Sequence, residues 1–196
     1  MTREADDLLN RKAYDFYSYV KLFLRFQDDF PKEAAASKKD LRPMDKSTGV
    51  EDIQVDFSWS KQKLLAFAIS LVNQALERYT TYKYKDALRL LEKAHEIRER
   101  ILGDNHRETA SIYFSIGDVY YAMGEYESAL KYYQKAASIF RSALGTDHLG
   151  IILTYNEIGN VYERLGKYEN ALKYYQRILQ ISESVLGTDH PKTAMI

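Results

Sequence analysis

Residues 102–143 read LGDNHRETASIYFSIGDVYYAMGEYESALKYYQKAASIFRSA, and residues 144–185 read LGTDHLGIILTYNEIGNVYERLGKYENALKYYQRILQISESV. These are near-copies at a step of 42 residues, and a third opening, LGTDH, starts at Leu186. A fixed period in this range means stacked supersecondary units, each hiding its apolar face against its neighbours. Each copy holds two helical stretches. The first ends at a tight turn with Gly124 or Gly166, and the second begins near Tyr126 or Tyr168. Gly103, Gly145 and Gly187 stand where a left-handed residue would close the preceding helix. No segment shows sustained period-two alternation, so the expectation is an all-α protein.

Residues 60–101 read as a divergent first unit. Subtracting 42 from Tyr126 and Ala129 gives Tyr84 and Ala87, whereas Gly124 maps to Tyr82 and Gly117 to Ala75. Terminal repeats often diverge, because one face meets no copy of itself. Further upstream, residues 3–30 carry Leu9, Ala13, Phe16, Val20, Phe23 and Leu24 at helical spacing, and Pro31 stops the pattern. Residues 31–58 mix charge, two prolines and a glycine without period, as a linker or long loop does. The organisation expected is an aromatic helix plus linker over 1–59, then an array over 60–196. Its units are 60–101, 102–143 and 144–185, with a partial fourth over 186–196.

Composition narrows the function. Lysine plus arginine and aspartate plus glutamate are 28 each, which gives no broad positive field for nucleic acid or an anionic membrane. There is no cysteine, hence no disulfide framework, thiolate zinc site or cysteine nucleophile. The start, MTREADDLLNRK, has acids where a secretory signal needs a basic and then apolar run. The apolar stretch Leu64 to Val72 is too short to span a bilayer. A cytoplasmic protein without nucleic-acid or membrane partners is the expectation.

The spacing also carries a family. Tyr113, Ile116, Gly117 and Tyr120, then Ala129 and Tyr133, follow an aromatic-x2-L-G-x2-Y … A-x3-F pattern, and Tyr155, Ile158, Gly159, Tyr162, Ala171 and Tyr175 repeat it. This resembles the tetratricopeptide repeat. The 42-residue length and LGxDHP-like junction are similar to the kinesin light chain type of that repeat. Asn156, in TYNEIGNVY, stands where that type commonly carries asparagine, whereas the preceding copy has Phe114. The resemblance covers residues 60–196 and implies a right-handed α-solenoid of helix hairpins, preceded by the extra N-terminal helix. Residues 1–59 show no sustained heptads, so the repeat type carries over and a motor role does not.

Catalytic and metal chemistry find little support. His106, His148 and His190 recur in the junctions, but a solenoid sets equivalent residues a repeat apart, so they do not converge on one ion. They read instead as helix-starting joints. No nucleophile elbow, phosphate loop, dinucleotide fingerprint or zinc-protease motif is present. The expectation is a non-enzyme with no cofactor and no metal.

What remains is binding. In a stacked array the first helix of each pair lines the concave side. Positions three before, one after and four after the core glycines select Phe114, Asp118 and Tyr121, and then Asn156, Asn160 and Glu163, with Arg164 at the edge. Asparagine amides suit the N–H and C=O of an extended peptide whatever its sequence. In the first unit the same rule gives Val72, Leu76 and Tyr79. Val72 and Leu76 argue against the lysine and asparagine clamp by which some of these domains grip chaperone tails. The function expected is a scaffold that binds a partner peptide or helix in the concave groove. Two alternatives stand beside it: homo-oligomerisation through the N-terminal helix or the last repeat, and an accessory region of a larger enzyme or signalling protein.

Overall fold

The computed structural model describes residues 53–144 and 149–186. The helix expected over 3–30, most of the following connector, the junction at 145–148 and the partial unit after 186 lie outside the described residues. Six helices follow one another: α1 Lys61–Thr80, α2 Tyr84–Leu102, α3 Arg107–Ala122, α4 Tyr126–Leu144, α5 Leu149–Arg164 and α6 Tyr168–Leu186. No strand occurs among the described residues. The starts of α2, α4 and α6 lie 42 residues apart, as do those of α3 and α5. Helices adjacent in sequence pack together, α1 on α2, α3 on α4 and α5 on α6, with α2 on α3 and α4 on α5 joining the pairs. The result is an all-α solenoid.

Local chemistry sets the helix ends. Ser60 caps α1, its Oγ accepting from the Lys63 amide at 3.3 Å. His106 caps α3 in the same way, with Nδ1 accepting from the Glu108 amide at 3.2 Å. That is the joint role the sequence suggests for this histidine. The turn inside each pair is one motif used three times. Lys83 N donates to Arg78 O, Glu125 N to Tyr120 O and Lys167 N to Tyr162 O, at 2.8, 2.9 and 2.8 Å. The residue before each donor is left-handed: Tyr82 at φ 60°, Gly124 at 79° and Gly166 at 69°. This six-to-one closure satisfies carbonyls that the helix end leaves open. The divergent first unit therefore keeps the turn without its glycine.

Within each pair, small residues let the helices approach. A Cβ on Gly117 would lie 2.6 Å from Cε1 of Tyr133, and one on Gly159 would lie 2.5 Å from Cε1 of Tyr175. The tyrosine ring of the second helix thus lies on the bare backbone of the first. Ala87, Ala129 and Ala171 are buried at equivalent positions of α2, α4 and α6. Between pairs the joints differ. At α2–α3 the core holds Arg98, only 2% exposed, whose Nη1 donates to the Glu108 carbonyl at 3.0 Å. The Glu108 carboxylate stands 3.8 Å from Arg98 Nε. One repeat later the same positions carry Phe140 and Gly150, both buried, so neither holds a charged side chain.

Candidate functional site

The seven groove residues of the second and third units fall on α3 and α5, and Val72, Leu76 and Tyr79 of the first unit fall on α1, all first helices of their pairs. Their environments divide them. Phe114 is 5% exposed and packs its ring 5.3 Å from that of Tyr133. Asp118 is 8% exposed, and its Oδ1 accepts from Tyr133 Oη at 2.6 Å. Both are tied inward to α4. Tyr121 and Asn160 are half-buried, and Asn156, Glu163 and Arg164 are exposed.

Two of these residues bridge the pairs. Arg164 Nε donates to Tyr121 Oη at 3.1 Å, linking α5 to α3. Asn160 Oδ1 accepts from Tyr175 Oη at 3.1 Å, the amide counterpart of the Asp118–Tyr133 bond. Both asparagine amides also turn to one carboxylate that the glycine-based rule passes over. Asn156 Nδ2 donates to Glu157 Oε1 and Asn160 Nδ2 to Glu157 Oε2, each at 3.2 Å. Glu157 follows Asn156 and lies three positions before Asn160, and its place between the asparagines is the signal that could have found it. Asn156 Oδ1 accepts no hydrogen bond among the described residues.

Electrostatics mark the centre of this face. Burial pushes the Asp118 carboxyl well above the ordinary carboxylate range; the charge of Glu157 adds to the effect and the Tyr133 hydrogen bond opposes it. Asp118 Oδ2 is buried with no hydrogen-bond partner among the described residues. The phenol of Tyr79, on α1, is also pushed up, first by burial and then by the charge of Asp118. Tyr175 is raised to about 12, by burial and then by Glu163 and Glu157.

A second constellation lies at the α2–α3 joint. His95, Glu99 and Asp104 present ligand atoms within 4.8 Å of one another. The sequence reading weighs only the junction histidines and misses His95, which stands inside α2. Here an ammonium takes the cationic place. Lys135 Nζ lies 3.4 Å from Asp104 Oδ2 and donates to Tyr113 Oη at 2.5 Å. Tyr113 Oη donates to Asp104 Oδ1 at 2.7 Å. With the phenol proton so committed, His95 Nε2, 2.6 Å from Tyr113 Oη, is the donor of that contact. The Tyr113 hydrogen bond, with Lys135 beside it, holds Asp104 below its usual carboxylate range.

Comparison with known proteins bears on the whole array. The family model described as Tetratricopeptide repeat matches residues 83–142, 112–171 and 150–196. No curated protein sequence matches the chain. Among solved structures, a putative kinesin light chain from Podosopora anserina with nearly identical TPR-like repeats is 17% identical, with a TM-score of 0.58, over 98% of this chain and 80% of that one. The TPR domain of Arabidopsis FLU is 22% identical, with a TM-score of 0.54, over 64% of this chain and 99% of that one. The MamA protein is 23% identical, with a TM-score of 0.50, over 66% of this chain, which spans 64% of the MamA chain. At these identities the likeness is one of fold.

Proposed function

The chain belongs to the tetratricopeptide repeat family, with repeats of the kinesin light chain-like type, and from that premise we propose that it is a non-catalytic scaffold that takes a partner peptide or helix along the face of α3 and α5. Protein interaction is the general role of the repeat; the groove, its residues and a cytoplasmic setting are our reading. No described helix is long and apolar enough to cross a membrane. The observation that carries the reading is the polar strip Asn156–Glu157–Asn160 beside the Tyr121–Arg164 bridge. It offers a free amide oxygen, a carboxylate and a guanidinium on one side of α5, the mixture a peptide backbone and its side chains can satisfy. Phe114 and Asp118 form the floor beneath it, and Glu163 its rim. The test is capture with the full chain, wild type against Asn156→Ala with Asn160→Ala, followed by affinity measurement on the captured partner. Loss of about ten-fold in affinity with unchanged melting supports the groove. Unchanged affinity places the site elsewhere.

One observation favours a second reading, self-association through the last pair. Tyr168, Leu172 and Leu179 of α6 are exposed by 69%, 56% and 36%. Their counterparts on α4, Tyr126, Leu130 and Ala137, are half-buried or buried. The exposed set follows a four-then-seven spacing, which suits a helix-on-helix seam with a second copy. Light scattering at two concentrations tests it: a mass that stays that of one chain, unaffected by Leu172→Asp, removes this reading.

A further inference from the structure

The α2–α3 joint holds a set of donor atoms that the groove leaves unused. His95 and Glu99 stand one turn apart on α2, and Asp104 follows just after the helix. A ring nitrogen of His95 and one oxygen from each acid lie within 4.8 Å of one another. Residues four apart on a helix share a face, so backbone geometry alone brings the first two together.

The tautomer of His95 decides which nitrogen can bind. Tyr113 Oη donates to Asp104 Oδ1 at 2.7 Å, so the 2.6 Å contact between Tyr113 and His95 carries the Nε2 proton. In the neutral ring Nδ1 is then a bare lone pair. It faces Glu99 Oε2 at 3.8 Å, with no donor between them among the described residues. Two acceptors in that position repel unless a proton or a cation stands between them. The spacing suits a cation. It is too long for a hydrogen bond, and two ligands on a tetrahedral zinc, each at about 2.0–2.2 Å, lie about 3.4 Å apart. An imidazole that ligates through one nitrogen and donates through the other is the usual arrangement at metal centres. The Tyr113 hydrogen bond and the charge of Lys135 keep Asp104 ionised and ready to ligate.

The competing cation is the Lys135 ammonium, 3.4 Å from Asp104 Oδ2. Its side chain is 47% exposed and that of Asp104 40%, and an exposed ion pair is worth about 0–1 kcal/mol. Such a pair does not hold Asp104 against a divalent ion.

We propose that His95, Glu99 and Asp104 bind a divalent transition-metal ion of the zinc class, with His95 Nδ1 and Glu99 as the first two ligands and Asp104 drawn in as the third. An imidazole among carboxylates selects zinc over magnesium and calcium, which prefer oxygen alone. Bound there, the ion ties the C-terminal part of α2 to the junction that leads into α3. The expectation of no metal, drawn from the junction histidines, does not reach His95. The site is apart from the strip on α3 and α5, so it stands or falls independently of the groove.

The experiment is calorimetric titration of the tag-free full chain at pH 7, in a buffer that does not chelate metals, with zinc, magnesium and calcium chlorides. His95→Gln and Glu99→Gln each remove a ligand, Lys135→Met removes the competing ammonium, and a His148→Gln/His190→Gln double variant controls for other imidazoles. Melting curves check that each folds, and Glu99, 52% exposed, is the substitution safest for the core. One zinc per chain is expected, with a dissociation constant in the micromolar range and magnesium and calcium about 100-fold weaker. Either ligand variant should weaken zinc by about ten-fold or more, and the double variant should leave it unchanged. Lys135→Met should tighten zinc several-fold, a gain that a merely structural ion pair would not give. Absence of zinc binding up to about 1 mM overturns the site. So does zinc binding that neither His95→Gln nor Glu99→Gln weakens, and magnesium binding as tight as zinc overturns the assignment of the ion.

Discussion

Tyr133 donates its hydroxyl to Asp118 Oδ1 at 2.6 Å across the helices of one pair, and the other oxygen of that carboxyl is buried without a partner among the described residues. One repeat later Tyr175 makes the same bond to Asn160, at 3.1 Å, and the amide nitrogen of Asn160 reaches Glu157 at 3.2 Å. The second pair accommodates an amide where the first holds an acid. A buried acid with one satisfied oxygen is the costlier choice, because ionising it strands charge in a poorly solvated place.

Asp118→Asn should therefore stabilise the chain at neutral pH, by about 1–2 kcal/mol. Folding raises the Asp118 pKa above its unfolded value of 3.8. The folded chain thus holds a proton that the unfolded chain releases. This contribution to stability is fully present below 3.8 and is lost as pH rises through the folded pKa. Urea unfolding from pH 4 to 8 checks it. The wild type should lose stability across that range, and the variant should lose less. Parallel profiles would mean that Asp118 does not control the slope.

Tyr82→Gly should stabilise by about 1 kcal/mol. Tyr82 adopts φ 60° where the other pairs use Gly124 and Gly166, and a side chain pays for that conformation. Its ring is 68% exposed, so little packing is lost with it. An edge-to-face contact with Tyr84, at 6.2 Å between ring centroids, sets a small offset. A rise in melting temperature with unchanged helix content by circular dichroism is the expected readout.

Gly117→Ala and Gly159→Ala should each destabilise, by about 1–3 kcal/mol. Neither glycine has a positive φ, so the cost is steric and not conformational. The added methyl meets a tyrosine ring at 2.6 or 2.5 Å, and that ring's hydroxyl is pinned to Asp118 or Asn160. Pairing each alanine with Tyr133→Leu or Tyr175→Leu relieves the ring clash, and a double-mutant cycle should then show a coupling above about 0.5 kcal/mol.

The array was legible because its determinants are local and periodic. Gly124, Gly166 and the Ala129 and Ala171 positions announce turns and close packing by residue type alone. The turn at Tyr82 keeps the motif that the sequence had lost, since backbone hydrogen bonds from Lys83 and Tyr82 hold it without glycine. The groove was legible only as a face. Helical spacing fixes which side Asp118 and Asn160 occupy, but it does not report that Tyr133 reaches back to the first and Tyr175 to the second. Glu157 and His95 escaped for a related reason. Each gains its meaning from partners on other turns or other helices, and one-dimensional spacing around a glycine does not contain them.

The joint between the first two pairs offers the sharpest energetic test. Arg98 and Glu108 are both buried, and their charged groups meet at 3.8 Å, longer than a good charge-assisted bond. Burial lowers the Arg98 pKa and Glu108 opposes that shift. Desolvating two ions for an imperfect contact gains little net stability, yet removing one partner strands the other. Arg98→Met should cost about 3 kcal/mol by leaving Glu108 buried, and Glu108→Gln should cost less, since Arg98 keeps its 3.0 Å bond to the Glu108 carbonyl. The double variant should return to within about 1 kcal/mol of wild type, because the following joint packs with Phe140 and Gly150 in these places. In a repeat array, stability divides into unit and neighbour-interface contributions. The single variant Arg98→Met should accordingly loosen the first pair before the rest. Hydrogen exchange would show amides of α1 and α2 opening earlier than those of α5; uniform loss of protection across all six helices would mean that the joint is not where the energy sits.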